Sequence, residues 1–541
     1  MYHEKRLRFR LRLRKERAQI DFFAVWIVYE IQLISILVVD SSLKVYPQIF
    51  LPGKYRRLSS FLIFSTLLLL LCTGNTFAQD NTLYLMPDIP EANQLNPALF
   101  KLCRIYVELP VISSVKVNIR NSGFGFHDVI QKGTGTQSNT YLVNLQSVES
   151  RLKGINYSQI ETDINLLGFG FGYKEWYFTF GISNHTDLLL SYPHDVVLMR
   201  DDYLNPTNPS RSLINLNRLE GEATLWNSIG VSAAKEIKEG LRVGVRLQYL
   251  QGMANAVSRG SELVVTPFGS PLSLQVMMKY RINSSFPLNI RYSPNGLVHS
   301  VNFDNSLNNI AGDFIFNGNR GAAIDAGFVY DKDEITQISG SITDLGFIRW
   351  KKNTNIFSAT GDYLFNATDL AIFQIKPSAI DLVRALKDSI SKSVGRSTRT
   401  YYTLVPIKIF GGITRLLLPG LKAGAMTRIE IYDLHIMPSL SLSMNYTPVP
   451  LIAASLSYTI MNNKFNQVGA GIAVGNHLAQ FYLITDNIPL RFTKDINSPL
   501  FWPYNARMLS LRFGLNLLFG CNLKENKFRL KNRRDLCPAY W

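Results

Sequence analysis

Hydrophobic and polar side chains alternate along the C-terminal stretch Met508 to Phe519. A period of two is that of a β-strand, whose successive side chains point to opposite faces. One face comprises Leu509, Leu511, Phe513, Leu515, Leu517 and Phe519, and the other comprises Ser510, Arg512, Gly514 and Asn516. The stretch has about the length of a tilted transmembrane strand and ends on an aromatic residue. It therefore predicts the closing strand of an outer-membrane β-barrel, with Gly514 facing an aqueous lumen that would tolerate Gly514→Ser.

The same alternation recurs along the chain. Leu167 to Tyr173 alternates large apolar residues with glycines, Lys174-Glu175 makes a short turn, and Trp176 to Ser183 alternates again. A soluble β-sandwich would produce this pattern in a single hairpin, but its repetition, for example over Leu241 to Tyr249, favours a barrel with short turns and longer polar loops. The predicted fold class is all-β: a closed antiparallel transmembrane β-barrel of about 14 strands over residues 105 to 520.

A secretory signal peptide is predicted at residues 54 to 78. Basic residues precede an apolar run from Phe61 to Leu71, and Thr76-Phe77-Ala78 supplies the small residues expected before a cleavage site. A transmembrane helix needs about 20 apolar residues, and this run is shorter. The mature protein is therefore expected to start near Gln79 and to reside in the outer membrane of a Gram-negative cell.

Residues 1 to 53 do not fit that scheme. An arginine-rich run is followed by an apolar stretch from Ile20 to Val39, which Asp21, Glu30 and Gln32 interrupt. Because a signal peptide should stand at the N-terminus, we interpret this part as an upstream extension from a start codon assigned too early. A true inner-membrane helix is the rival interpretation.

The net charge of +17 is concentrated at the two ends of the chain. Residues 1 to 57 contribute +7 and residues 521 to 541 contribute +4, so the remaining chain is near +6. A nucleic-acid-binding surface would show a concentrated basic stripe, so no nucleic acid is expected as a partner. The segment 521 to 541 is predicted to be a basic periplasmic tail.

The first residues after the signal peptide contain three prolines. Pro87, Pro90 and Pro97 disfavour a regular helix or a central strand, so an ordered extended segment is expected over residues 79 to 104. The tripeptide Asn96-Pro97-Ala98 in this position is similar to the start of the long-chain fatty-acid transporter (FadL-like) superfamily of barrels. That resemblance implies a plug inside the barrel, with Asn96, Pro97 and Ala98 as candidate plug-motif residues. A simple lead-in turn is the alternative.

Three further phrases resemble an uncharacterised outer-membrane β-barrel family of Bacteroidetes within the FadL-like and PorV-like group. They are Gly240 to Gly252, Ile342 to Trp350 and Leu515 to Gly520. The resemblance runs from about Leu83 to the C-terminus. It implies an outer-membrane barrel and no particular activity.

One short helix is predicted inside the β pattern. Ile380, Val383, Leu386 and Ile390 recur at helical spacing between Pro377 and Gly395. The helix would serve as a lid or docking element in a long loop, or would pack its apolar stripe on the barrel rim.

No catalytic residue, metal site or cofactor is predicted. None of the seven histidines forms a metal-like pair. His299-Ser300 resembles the His and Ser that barrel phospholipases place on a strand edge, but a third group to orient the histidine is not evident. An odd number of cysteines, Cys103, Cys521 and Cys537, follows the signal peptide, and Cys521 could close a short loop with Cys537.

The predicted function is a non-enzymatic channel or transporter that binds small, including hydrophobic, molecules. A lumen partly lined by glycine would leave room for such a ligand. The alternative is a non-conducting structural or secretion-associated barrel that binds periplasmic protein partners. In either case the expected partners are outer-membrane lipid and the barrel-assembly machinery, which would engage the C-terminal strand.

Overall fold

Alternating side chains produce long strands connected by short turns and longer loops. The computed structural model describes residues 81–99, 103–132, 141–143, 145–198, 213–268, 273–286, 288–292, 298–303, 318–365, 395–432, 436–449, 452–461, 464–476, 478–488, 492–493, 502–503 and 508–521. The short helices are α1 Asn81–Tyr84, α2 Ala92–Leu95, α3 Phe126–Val129 and α4 Leu145–Glu149, with a 3-10 helix at His194–Leu198. No helix in these ranges is long and apolar enough to cross a bilayer.

Most of the described chain is β-strand. The strands are β1 Cys103–Glu108, β2 Val115–Asn121, β3 Ile130–Lys132, β4 Tyr141–Val143, β5 Ile155–Tyr173, β6 Trp176–Pro193, β7 Ile214–Asn215, β8 Glu220–Lys238, β9 Leu241–Ser258, β10 Glu262–Phe268, β11 Ser273–Ser285, β12 Leu288–Tyr292, β13 Val298–Phe303, β14 Arg320–Asp331, β15 Thr336–Trp350, β16 Thr354–Phe365, β17 Gly395–Ser397, β18 Tyr401–Leu404, β19 Ile407–Leu418, β20 Leu421–Ile431, β21 Ile436–Val449, β22 Ile452–Met461, β23 Lys464–Gly475, β24 Ala479–Thr485, β25 Phe492–Thr493, β26 Trp502–Pro503 and β27 Met508–Cys521.

The wall is a closed antiparallel barrel of 14 strands, as predicted. Two wall strands are each made of two segments, β1 followed by β2 and β18 followed by β19. Around the ring the order is β1/β2, β5, β6, β8, β9, β14, β15, β18/β19, β20, β21, β22, β23, β24 and β27. The last strand β27 pairs with β24 on one side and with both β1 and β2 on the other, which closes the ring. Closure pairs the last strand of the sheet with the first, so the described wall strands form a ring.

The closing strand has the two faces that its sequence predicts. Leu509, Leu511 and Phe513 are exposed on the outside, whereas Ser510 and Arg512 are buried inside. Large apolar side chains are exposed in the same way on the other wall strands. An apolar outer band with a polar interior is the arrangement of a barrel that crosses a membrane.

The first wall strand is interrupted between β1 and β2. Residues 109–114 leave the strand and return, and the backbone carbonyl of Ser113 lies against Gly514 on β27. A Cβ on Gly514 would overlap that carbonyl. Gly514 does face inward, but the expectation that Gly514→Ser is tolerated is wrong, because backbone rather than water fills the adjacent space.

The connections differ in length at the two ends of the barrel. At the short-turn end, Tyr173 pairs with Trp176 across a two-residue turn, and Gly240 and Gly420 adopt the positive φ that tight turns require. At the long-loop end, strands β7, β10, β11, β16 and β17 extend the sheet beyond the ring, and the pairs β3–β4, β12–β13 and β25–β26 form separate hairpins. The helix predicted over residues 380–390 lies outside the described residues.

Two motifs that the sequence singled out lie in a separate hairpin and at the seam of the barrel. His299 and Ser300 are on β13, in the separate hairpin with β12. Cys521 stands opposite Cys103 in the register of β27 and β1. The pairing of Cys521 with Cys537 stays a prediction, because residue 537 is outside the described ranges.

Candidate functional site

The segment 81–99 lies within the barrel lumen. Nearly all of its residues are buried, and its side chains contact inward-facing side chains of the wall. The segment is not extended as expected, because α1 and α2 each add one helical turn between the prolines. Three prolines exclude a long helix but allow single turns between them.

Hydrogen bonds attach this lumen segment to strands on several sides of the barrel. Side-chain amides, hydroxyls and carboxylates of the wall face inward, so they supply partners for a segment that lacks regular pairing. The bonds join Asn81 Nδ2 to Ser441 Oγ (2.6 Å), Thr82 N to Asp486 Oδ1 (3.0 Å), Ser341 Oγ to the Leu95 carbonyl (2.6 Å), Arg246 Nη1 to the Gln94 carbonyl (3.2 Å) and Asn516 Nδ2 to Glu91 Oε2 (2.9 Å).

The tripeptide Asn96-Pro97-Ala98 contacts the wall at glycine positions. The Asn96 side chain donates to the backbone carbonyl of Phe328 (3.2 Å) and accepts from the Ala98 N–H (3.0 Å). A Cβ on Gly244 would overlap the Pro97 backbone, and one on Gly327 would overlap the Asn96 amide. The sequence predicted that glycines lining the lumen leave room for a ligand. At Gly244 and Gly327 they do not, because the lumen segment occupies that space.

One side of the lumen segment packs against an apolar surface of the wall. We call this contact the apolar interface. It comprises Leu83, Tyr84, Leu85, Met86, Ile89, Ala92, Leu95, Ala98 and Leu99 of the segment and Val329, Phe410, Met426, Ala453, Ala473, Tyr482 and Ile484 of the wall. The rings of Tyr84 and Phe410 stack with centroids 5.1 Å apart. Burial of this much apolar surface stabilises the segment in addition to its hydrogen bonds.

Charged residues meet across the lumen at another level. Arg120 on β2 pairs with Glu430 on β20 (2.8 Å), and Lys408 on β19 pairs with Glu161 on β5 (3.2 Å). These strands are on opposite sides of the ring. We call the ion-paired set the charged network; it comprises Lys116, Arg120, Glu161, Asp163, Lys408, Arg428 and Glu430. Its ion pairs bridge part of the lumen at their level.

Between the charged network and the lumen segment lies a cavity of about 80 Å³. Its lining is mainly polar and includes Asn93, Asp163, His185, Ser228 and Arg246. His185 contacts Asp163 through Nδ1 (2.7 Å) and Ser228 through Nε2 (2.9 Å), and its ring stacks on Trp226.

Sequence reasoning missed this histidine. His185, Asp163 and Ser228 are on three neighbouring strands, and each occupies an inward position of an alternating pattern. The alternation indicated that each residue faces the lumen. It did not indicate which of the many inward residues meet. In the described part of the chain, no three His, Cys, Asp or Glu side chains are grouped as metal ligands.

The closed ring, the apolar outer band and the filled lumen define this chain as a β-barrel of the outer-membrane type. The chain belongs to a family of unknown function (DUF5723), whose model matches residues 97–486. No curated protein matches it.

Several solved barrels resemble it weakly. The toluene transporter TbuX of Ralstonia pickettii is 9% identical over 83% of this chain and 96% of its own, with a TM-score of 0.37. A Pseudomonas aeruginosa FadL homologue is 10% identical over 83% and 99%, with a TM-score of 0.37. The Pseudomonas putida toluene transporter TodX is 7% identical over 82% and 93%, with a TM-score of 0.33. Likeness at this level says nothing about cargo.

Proposed function

We propose that this protein is an outer-membrane transporter that passes small hydrophobic molecules along the apolar interface when the lumen segment shifts. The apolar interface itself carries the proposal. It runs along a separate piece of chain rather than between wall strands, so it can open without breaking a strand pair. A path lined by such side chains favours an apolar solute and disfavours ions, which would lose their hydration.

The apolar outer band and the predicted signal peptide at residues 54–78 support residence in the outer membrane. Lipid would cover the exposed apolar side chains, and the barrel-assembly machinery would engage β27. Fractionation tests this directly: the protein should be recovered in the outer membrane and should migrate anomalously on unheated gels. Recovery in the soluble periplasmic extract would contradict the proposal. Peptides from residues 1–53 in the outer-membrane material would contradict a mature start near Gln79.

The second candidate is a non-conducting barrel that binds periplasmic or secretion-associated proteins. The cross-lumen pairs of the charged network favour it. Separating Arg120 from Glu430 would break a buried ion pair, and unpaired buried charges destabilise a protein strongly. A barrel that never opens would keep these pairs permanently and would use its loops or rim for binding.

A disulfide across the apolar side of the lumen distinguishes the two candidates. The hydroxyls of Thr82 and Ser457, each attached directly to Cβ, are already in contact (2.8 Å between Oγ1 and Oγ), which suits the short Cβ–Cβ distance of a disulfide. The double variant Thr82→Cys/Ser457→Cys should therefore oxidise and lock the start of the lumen segment to β22. Toluene uptake into proteoliposomes would be measured in the oxidised and reduced forms.

A transporter should take up toluene faster than empty liposomes, lose that activity on oxidation and recover it on reduction. The two single-cysteine variants, treated with the same oxidant, control for the native cysteines. Uptake equal to empty liposomes in every form would contradict transport, and co-purification of stoichiometric protein partners would then support the non-conducting barrel.

A further inference from the structure

The cavity between the lumen segment and the charged network contains a serine, a histidine and an aspartate in series. His185 Nε2 lies 2.9 Å from Ser228 Oγ, and His185 Nδ1 lies 2.7 Å from Asp163 Oδ1. The residues come from β8, β6 and β5, which are adjacent in the wall. Rigid strands therefore hold all three side chains in place.

This geometry matches the requirements of an activated nucleophile. When the ring proton of His185 is on Nδ1, that N–H donates to Asp163, and Nε2 is left to accept the Ser228 hydroxyl proton. Trp226 stacks on the imidazole with centroids 5.1 Å apart and restricts its orientation. Lys116 Nζ lies 3.2 Å from Asp163 Oδ2, so an ion pair holds the carboxylate oxygen that does not contact His185.

The wall beside Ser228 leaves space for a small reactant. Gly181 pairs with Gly230 two positions along the strands from the pair Ser183–Ser228, so the two glycines share its inward face. Both line the cavity. A Cβ on Gly181 would meet no atom closer than the Leu167 carbonyl at 3.9 Å. Arg246 and Lys408, which pair with Asp325 and Glu161, line the same cavity, so cationic side chains border the space that the reactant would enter.

We propose that Ser228 and His185 are catalytic residues for hydrolysis of small esters of short-chain acids, with Asp163 as the residue that positions His185. Ser228 Oγ attacks the ester carbonyl carbon while its proton moves to His185 Nε2. The carbon–oxygen bond to the alcohol breaks, and the alcohol leaves with the proton from His185. Water then attacks the acyl-serine while His185 Nε2 accepts its proton. The bond between the acyl carbon and Ser228 Oγ breaks, the acid is released, and His185 returns the proton to Ser228 Oγ.

A fluorophosphonate tests the nucleophile, because it reacts covalently with activated serines. Purified full-length mature protein would be incubated with the probe and digested, and the adduct would be located by mass spectrometry. The expected result is one adduct on Ser228, together with hydrolysis of p-nitrophenyl acetate. An unmodified protein, or an adduct on another residue, would overturn the proposal without any variant being needed.

Variants then assign the roles. Ser228→Ala should lose labelling and hydrolysis, and His185→Gln should slow labelling about 100-fold or more, as expected for loss of a general base. Asp163→Asn should lower kcat with KM unchanged. Ser232→Ala is the matched control, because Ser232 is also inward and buried on β8 but bonds to Thr179 instead of a histidine. Equal labelling of Ser228→Ala and Ser232→Ala would refute the assignment.

This activity is independent of the proposed transport. A barrel that never passes toluene could still react with the probe, and a transporter could fail to react. Gly181→Val should fill the space beside Ser228 and reduce labelling at least about tenfold, whereas the disulfide between Cys residues at positions 82 and 457 should leave it unchanged. The two proposals can therefore fail separately.

Discussion

The apolar interface and the charged network both fill the lumen, but different forces hold them. Contacts in the apolar interface are non-directional, and they join the wall to a segment that pairs with no strand. Contacts in the charged network are directional, and they join wall strands to each other, as Arg120 and Glu430 show. A shift of one residue costs the apolar interface little, whereas it separates buried ions in the charged network.

This difference identifies which part of the lumen can move. Apolar surfaces can slide past one another while they stay covered, and separate hydrogen bonds attach the segment elsewhere. The charged network is expected to act as the fixed part that keeps the barrel shape. The tests below would show either that this division is correct or that both regions form one rigid core.

The largest effect is expected from Glu430→Gln. Glu430 is completely buried and pairs with both Arg120 (2.8 Å) and Arg428 (2.9 Å). Loss of a buried carboxylate that serves two cations should cost about 4 kcal/mol. Urea unfolding of the reconstituted barrel, followed by gel mobility, would measure this. The control is Glu262→Gln, because its pair with Lys279 is largely exposed and contributes at most about 1 kcal/mol. Equal effects of the two variants would show that the network is not a fixed core.

A smaller effect, about 3 kcal/mol, is expected from Leu83→Ala in the apolar interface. Leu83 is fully buried, so truncation leaves a cavity between the segment and the wall. In an Asn93→Cys background, which should react slowly with an impermeant maleimide, the change should speed labelling about 100-fold. Leu440→Ala is the control, because Leu440 is exposed on the outer face. Unchanged labelling with reduced barrel stability would indicate that the segment and the wall unfold together.

The hydrogen bonds at the start of the segment should contribute least. Ser441→Ala removes the 2.6 Å partner of the Asn81 amide and should weaken attachment of the segment by about 1 kcal/mol. Ser439→Ala removes a longer 3.4 Å contact from the same amide and should have less effect. The same maleimide assay would rank them. The reverse order would mean that Asn81 is attached mainly through Ser439.

Which face of each strand meets water or lipid could be predicted from the sequence. Leu509, Leu511 and Phe513 are outside and Arg512 is inside, because side chains of a strand alternate regardless of what the strand pairs with. The barrel class and an approximate strand number could also be predicted from the sequence. Many such strands with short turns can pair the backbone groups at both sheet edges by closing into a ring.

Contacts across the lumen could not be predicted in this way. Arg120 and Glu430 are 310 residues apart, and they meet because the ring closes with a particular strand number and register. Ring closure and register also bring the Ser113 carbonyl against Gly514 and place His185 between Asp163 and Ser228. Alternation is a local property of the backbone, so the sequence determined the faces. Curvature and register are properties of the whole ring, so only the tertiary structure decided which inward residues touch.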